Sequence, residues 1–186
     1  MAANVGPLVT VTDLESMPDD GSRYEVIEGE FFVSKAPGVT HQLASMNLSW
    51  IFSSFLKLNP LGVVLATPGL IFDELSGVIP DLVFVSNERF GEIVRNERLI
   101  AAPDLIDEIV SPGSENERRD GVAKRQLYGE FGVKEYWLVD LQKRVIEVFV
   151  AKDHTLDLAA TFREGDEIRT SILPGFLCKV SDVFSL

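Results

Sequence analysis

Two runs of this chain, Leu105–Val110 (LIDEIV) and Tyr136–Val139 (YWLV), carry apolar residues on both of the faces a strand would present. A strand apolar on both sides belongs in the middle of a sheet covered above and below. The segment between them, roughly residues 116–131, has helical spacing and predicts a crossover helix. Around this core the sequence predicts a mixed β-sheet flanked by helices, of the α/β (α+β) class. Thr12 with Glu15 has the form of a capping box opening a short helix. Tyr24–Ile27 and Glu30–Val33 flank Glu28-Gly29 as a hairpin. Ala44, Leu48, Ile51, Phe52 and Phe55 give a long helix, Thr40 to about Leu58, one apolar face. Further strands are expected at Val63–Ala66, Leu70–Phe72, Asp81–Val85 and Val145–Val150. Leu156–Thr161 and Glu167–Thr170 read as edge strands, and Ser181–Phe184 as a closing helix.

Length and composition narrow the class. At 186 residues the chain suits one domain, expected over 1–186, and its 46% apolar content is ordinary for a globular protein. No apolar run reaches transmembrane length and the start lacks a signal-peptide pattern, so no membrane association is expected. The lone cysteine, Cys178, closes no internal disulfide, which fits a reducing, cytoplasmic location. A net charge of −12 argues against nucleic-acid binding over the whole surface. Yet seven of the 17 basic residues (Arg89, Arg95, Arg98, Arg118, Arg119, Lys124 and Arg125) crowd one stretch. They read either as a basic groove or as a solvated surface, since Glu88, Glu92, Glu97, Glu115 and Glu117 are interleaved with them.

Chemistry concentrates in the same stretch. Asp81 follows Pro80 at the mouth of an apolar strand, and Glu108 sits inside the next. Strand alternation sends Asp107 and Glu108 to opposite faces, so only one shares a face with Asp81. Two carboxylates close together in a pocket repel unless a cation lies between them. Hard oxygen ligands without a Cys/His cluster suit Mg²⁺ or Mn²⁺. Asp120, Lys124 and Tyr128 recur at four-residue spacing and form one helical stripe. Lys124 could then serve a phosphoryl-transfer site, or Asp120–Lys124 could be a surface ion pair with Tyr128 packed beneath. His41 reads as a phosphate contact or a helix cap, with the structural role favoured. Glu25 reads as an additional acid near the metal or, being in a hairpin, as solvated, with the solvated reading favoured. Tyr136 and Trp137 read as core, with Glu135 and Asp140 at the ends of their strand.

The strings PDLVFV, PDLIDEIVSP, D-x₃-K-x₃-Y and GVKEYWLVD resemble the Uma-two-type restriction endonuclease family, a branch of the PD-(D/E)XK nucleases. The resemblance runs from about Tyr24 (YEVIEGE) to the C-terminus. It implies a restriction-endonuclease-like fold and a metal-dependent DNA endonuclease, with Asp81, Glu108 and Lys124 as catalytic residues. Asp81, Glu108 and the main-chain carbonyl of Ile109 are the implied ligands of Mg²⁺ or Mn²⁺. The usual lysine two residues after the second acid is absent, that position being Val110, and the family pattern places its substitute at Lys124. DNA as partner and a two-fold homodimer follow from the nuclease expectation. Alanine variants at the three catalytic positions are expected to keep the fold. Two alternatives are a non-catalytic nuclease-fold binding or assembly protein, and a hydrolase of small phosphorylated substrates.

Overall fold

The computed structural model describes residues 7–110 and 119–185. Its main sheet has the order β12-β11-β10-β9-β6-β3. These strands are Thr155–Arg163 (β12), Val145–Lys152 (β11), Glu135–Asp140 (β10), Leu105–Val110 (β9), Leu82–Ser86 (β6) and Gly62–Ala66 (β3). The two doubly apolar runs, β9 and β10, lie side by side and parallel, while every other pairing in the sheet is antiparallel. Parallel neighbours need a crossover. It is made here by Arg119–Lys124, a π-helical stretch, running into α4 (Arg125–Glu130). The expected helix is therefore present in its described part but begins with a wider turn; its start near Asn116 lies outside the described residues. Gly129 lets α4 approach β12: a Cβ there would stand 3.0 Å from the backbone of Thr155 and Leu156.

The helix α2 (Val39–Leu58) covers one face of this sheet through Ala44, Leu48, Phe52 and Leu56. Trp137 and Phe176 pack against Phe52 at ring-centroid distances of 5.6 and 4.7 Å. The opposite face is covered by α4 and by a second mixed sheet of order β2-β1-β5-β4-β8-β7. Its strands are Arg23–Ile27 (β1), Glu30–Ser34 (β2), Leu70–Asp73 (β4), Ser76–Val78 (β5), Val94–Arg95 (β7) and Arg98–Leu99 (β8). The β1–β2 hairpin turns through Glu28 and Gly29, both at positive φ (50° and 78°), the geometry of a tight two-residue hairpin.

Several details differ from the sequence reading. The first helix, α1 (Val11–Leu14), is capped by Thr10 with Asp13, not by Thr12 with Glu15. Main-chain bonds from Val9 to Gly29 and from Val11 to Glu74 fix the chain there and select the earlier of two equivalent patterns. The short strands β5, β7 and β8, and the helix α3 (Asn87–Ile93), are too brief or too charged to show a periodicity. Glu167–Ile168 (β13) does not extend the main sheet but pairs with Cys178–Lys179 (β14) as a separate ribbon. The chain closes in α5 (Val180–Val183). No helix among the described residues is long and apolar enough to cross a membrane.

Candidate active site

The pairing of β6 with β9 sets Leu82 opposite Asp107, so the next pair outward is Asp81 and Glu108. This parity brings the two acids from different strands to one end of the sheet. Asp107 faces the other way, into the α2-side core. Asp81 and Glu108 line a pocket of about 410 Å³ together with Arg23, Lys35, His41, Ile109, Arg119 and Lys124.

Asp81 is tightly held. Its Oδ2 accepts from His41 Nε2 at 3.0 Å and from the Ile109 N–H at 2.9 Å, and its Oδ1 accepts from Arg23 Nη1 at 2.9 Å. Burial pushes the carboxyl up, but these donors outweigh it and hold Asp81 below the usual carboxylate range. His41 thus braces Asp81; the cap of α2 is Gly38.

Lys124 does arrive from the crossover. Its Nζ is 2.9 Å from Glu108 Oε1, 2.8 Å from Glu25 and 3.8 Å from Asp120, and the residue is only 2% exposed. The surface-ion-pair reading of Asp120–Lys124 is therefore wrong, because both residues are buried within the π-helical stretch, a feature frequent at functional sites. Tyr128 does not simply pack below: its hydroxyl donates to Glu108 Oε1 at 2.6 Å. Glu25 is likewise not solvated, as the hairpin folds over the site. It accepts from the Ile79 N–H at 2.7 Å and faces Lys124 and Arg119. Its position on the inward face of β1 was the available signal, but a hairpin acid is usually exposed.

Charge balance in this cluster is uneven. Among the described residues, Glu25, Glu108 and Asp120 surround two cations, Lys124 and Arg119, leaving one acid in excess. Burial pushes Glu108 up to about 8; Lys124 pulls the other way, and Asp81, Asp120 and Glu25 reinforce the rise. Burial alone would discharge Lys124, yet Glu108, Glu25 and Asp120 outweigh it and keep the amine protonated. These two directions pull against each other, since a neutral Glu108 supports the lysine less. The charged lysine is the firmer of the two, because Glu25 and Asp120 remain beside it. The excess acid takes up a proton or a cation.

No group of three or more His, Cys, Asp or Glu side chains among the described residues is arranged to hold a metal ion. Mg²⁺ nevertheless keeps several waters and takes only one or two carboxylates from a protein, so a pair of acids suffices. The donor chemistry fits it. Glu108 Oε2 receives no hydrogen bond from any described residue, and Asp81 Oδ1 has one donor among them, the partly exposed Arg23. The N–H and C=O of one extended residue point to the same strand edge, so the Ile109 carbonyl lies on the edge whose N–H meets Asp81.

The seven-residue basic groove does not assemble. Arg89 pairs with Asp104, Arg95 bonds the Gly91 and Val94 carbonyls, Arg98 lies near Glu15, and Arg125 stacks on Phe149. Arg118 lies outside the described residues. Of the described members of that set only Arg119 and Lys124 line the pocket, joined by Arg23 and Lys35 from the hairpin. Tyr136 and Trp137 are core, as expected.

A family model described as "Uma2: Putative restriction endonuclease" matches residues 11–181. The chain belongs to that family. The match begins at residue 11, before Tyr24, where the sequence strings first suggested it, and so includes α1. Among solved structures, a crystal structure from Anabaena variabilis ATCC 29413, described as a "putative nuclease belonging to DUF820", superposes with a TM-score of 0.75. It is 16% identical, and the match covers 95% of this chain and 97% of that one. The Uma2 chain therefore has the fold of that protein. No curated protein matches it.

Proposed function

We propose that this Uma2 protein is a metal-dependent endonuclease that hydrolyses phosphodiester bonds in nucleic acid, DNA being the expected substrate. The observation that carries the reading is the convergence of Asp81 and Glu108 on one pocket, with the Lys124 ammonium 2.9 Å from Glu108. Asp81, Glu108 and the Ile109 carbonyl would hold Mg²⁺ or Mn²⁺, and the ion would supply positive charge to the scissile phosphate and the attacking water. The chain's own groups do the rest. His41 and the Ile109 N–H fix the Asp81 carboxylate, and the Tyr128 hydroxyl fixes that of Glu108. Lys124, kept protonated by its acids, donates to the nucleophile or to the phosphate oxygens as charge builds on them. Arg119 and Lys35 add positive charge to a pocket that must admit a phosphate despite the net charge of −12.

Calorimetry with Mn²⁺ and a cleavage assay on mixed-sequence DNA test this reading together. Asp81→Asn is expected to abolish both Mn²⁺ binding and Mg²⁺-dependent cleavage. Wild-type protein that takes up no Mn²⁺, even with DNA present, would instead favour the non-catalytic binding or assembly role.

A duplex is cut most simply by two copies related by a two-fold axis. The outer face of α2 supports a homodimer. Val39, Met46 and Trp50 lie along one stripe, Trp50 being 68% exposed, and the 20-residue helix contains no acid in a chain of 29. A face free of carboxylates spares two copies of a strongly acidic protein like-charge repulsion, and antiparallel helices would set each positive N-terminus beside a negative C-terminus. Trp50→Glu is expected to convert a sedimenting dimer into a monomer; wild-type protein that sediments as a monomer at all concentrations rules the dimer out.

A further inference from the structure

We infer that Arg23 is an exchangeable counter-ion: it occupies the cation's place on Asp81 when no ion is bound, and turns to a substrate phosphate when one is. The inference rests on the nuclease reading above and adds a role for a residue outside the Asp81–Glu108–Lys124 set.

The two oxygens of Asp81 are held unequally. Oδ2 is fixed by two donors, the His41 ring and the Ile109 N–H, neither of which can readily leave: His41 is buried in the first turn of α2, and the N–H belongs to a central strand. Among the described residues Oδ1 has one partner, the Arg23 guanidinium. The Arg23 side chain is 25% exposed, against 7% for His41, and stands at the first residue of β1, where the hairpin opens toward the pocket. Oδ1 is therefore the oxygen a divalent ion can claim, and Arg23 the group it must displace, because two cations sharing one carboxylate oxygen repel each other.

What the displaced guanidinium meets is set by its surroundings. Ser34, opposite Arg23 in the hairpin register, and Lys35 line the same pocket, as does Arg119. Once the ion neutralises Asp81, Arg23 and Lys35 face the pocket with no carboxylate partner among the described residues, while Arg119 stays paired with Asp120. A phosphodiester is the ligand that matches, since guanidinium binds phosphate oxygens in a bidentate fork. Nucleic acid and cation then bind cooperatively: the ion frees Arg23 for the phosphate, and the phosphate keeps Arg23 from returning to Asp81.

Arg23→Gln tests this with two readouts of opposite sign. Without DNA, the variant is expected to bind Mn²⁺ about tenfold more tightly than wild type in calorimetry, because a charged competitor has gone. With Ca²⁺ as the divalent ion, its affinity for a mixed-sequence DNA duplex is expected to fall, and the slope of log affinity against log salt to shrink by about 1. Arg23→Lys keeps the competing charge without the fork, so Mn²⁺ affinity stays near wild type while DNA affinity still falls. A purely structural Arg23 would weaken Mn²⁺ binding when removed. Unchanged or weaker Mn²⁺ binding by Arg23→Gln, in a protein whose binding still requires Asp81, overturns the exchange alone. Wild-type Mn²⁺ binding that is absent, or indifferent to Asp81→Asn, overturns the exchange and the nuclease reading together.

Discussion

Lys124→Met is expected to cost about 3–5 kcal/mol of stability, the usual loss when one partner of a buried charge group is removed. For a chain of this length that lowers the melting temperature by roughly 10 °C. The reason is local: Lys124 is 2% exposed and holds Glu25, Glu108 and Asp120, which would be left around a thioether with Arg119 as the one cation among the described residues to answer them. Protonating Glu108, which burial already favours, relieves part of the conflict, so the loss should shrink on acidification. The same variant should lower the cleavage rate about 10²–10³-fold, as when a donor to developing charge is removed. Glu108→Gln makes the contrast. Its amide resembles the protonated carboxyl that burial already favours, so stability should change by less than about 1 kcal/mol while Mn²⁺ binding and cleavage are lost. Thermal melts of the two variants beside their cleavage rates check both halves. The sequence-based expectation that alanine variants at all three proposed catalytic positions keep the fold is revised for the lysine, which is the hub of a buried charge cluster.

The second large effect concerns Asp107, which no step of the proposed reaction uses. Its side chain is 0% exposed, neither carboxylate oxygen has a hydrogen-bond partner among the described residues, and it points into the apolar layer beneath α2. Its neighbour Glu135 is satisfied by Trp137 Nε1 at 2.6 Å and Thr170 Oγ1 at 2.8 Å, so it offers Asp107 charge without a donor. Burial, then the charges of Glu135, Asp81 and Glu108, push Asp107 well above the ordinary aspartate value. The sign follows from linkage. An acid whose folded pKa is raised contributes fully below its unfolded value of about 3.9, and that contribution is lost as pH rises toward the folded value. Through that window wild type should lose up to about 1.4 kcal/mol per pH unit from this one group. Asp107→Asn removes the proton requirement. Urea unfolding should show the variant near wild type in acid and more stable by a growing margin as pH rises. A difference that does not depend on pH would mean that Asp107 is ionised in the fold. The nearby Cys178 thiol feels the same setting, pushed up to about 12 by burial and then by Asp107 and Asp182.

Much of the architecture was written locally. Doubly apolar β9 and β10 could be stable only inside a covered sheet, and the apolar spacing of α2 fixed which of its faces looks inward. The parity of β9 alone separated Asp107 from Glu108, and the acids at 81 and 108 were identifiable because carboxylates in apolar strands need an explanation. What local sequence could not express was pairing across distance. The register of β6 against β9 decides that Asp81 meets Glu108, and the packing of the β1–β2 hairpin decides that Arg23 and Glu25 join them. A hairpin acid and a strand-end arginine look like solvated charges until another sheet closes over them. The basic residues at 89–125 failed as a groove for the converse reason: neighbours in sequence were dispersed by α3, β7 and β8 to carboxylates, carbonyls and a ring of their own. The sequence by itself determined which side chains had to be buried, because hydrophobic periodicity is a local property. Only the tertiary structure decided which charges share that burial, because electrostatic partners are chosen by distance in space.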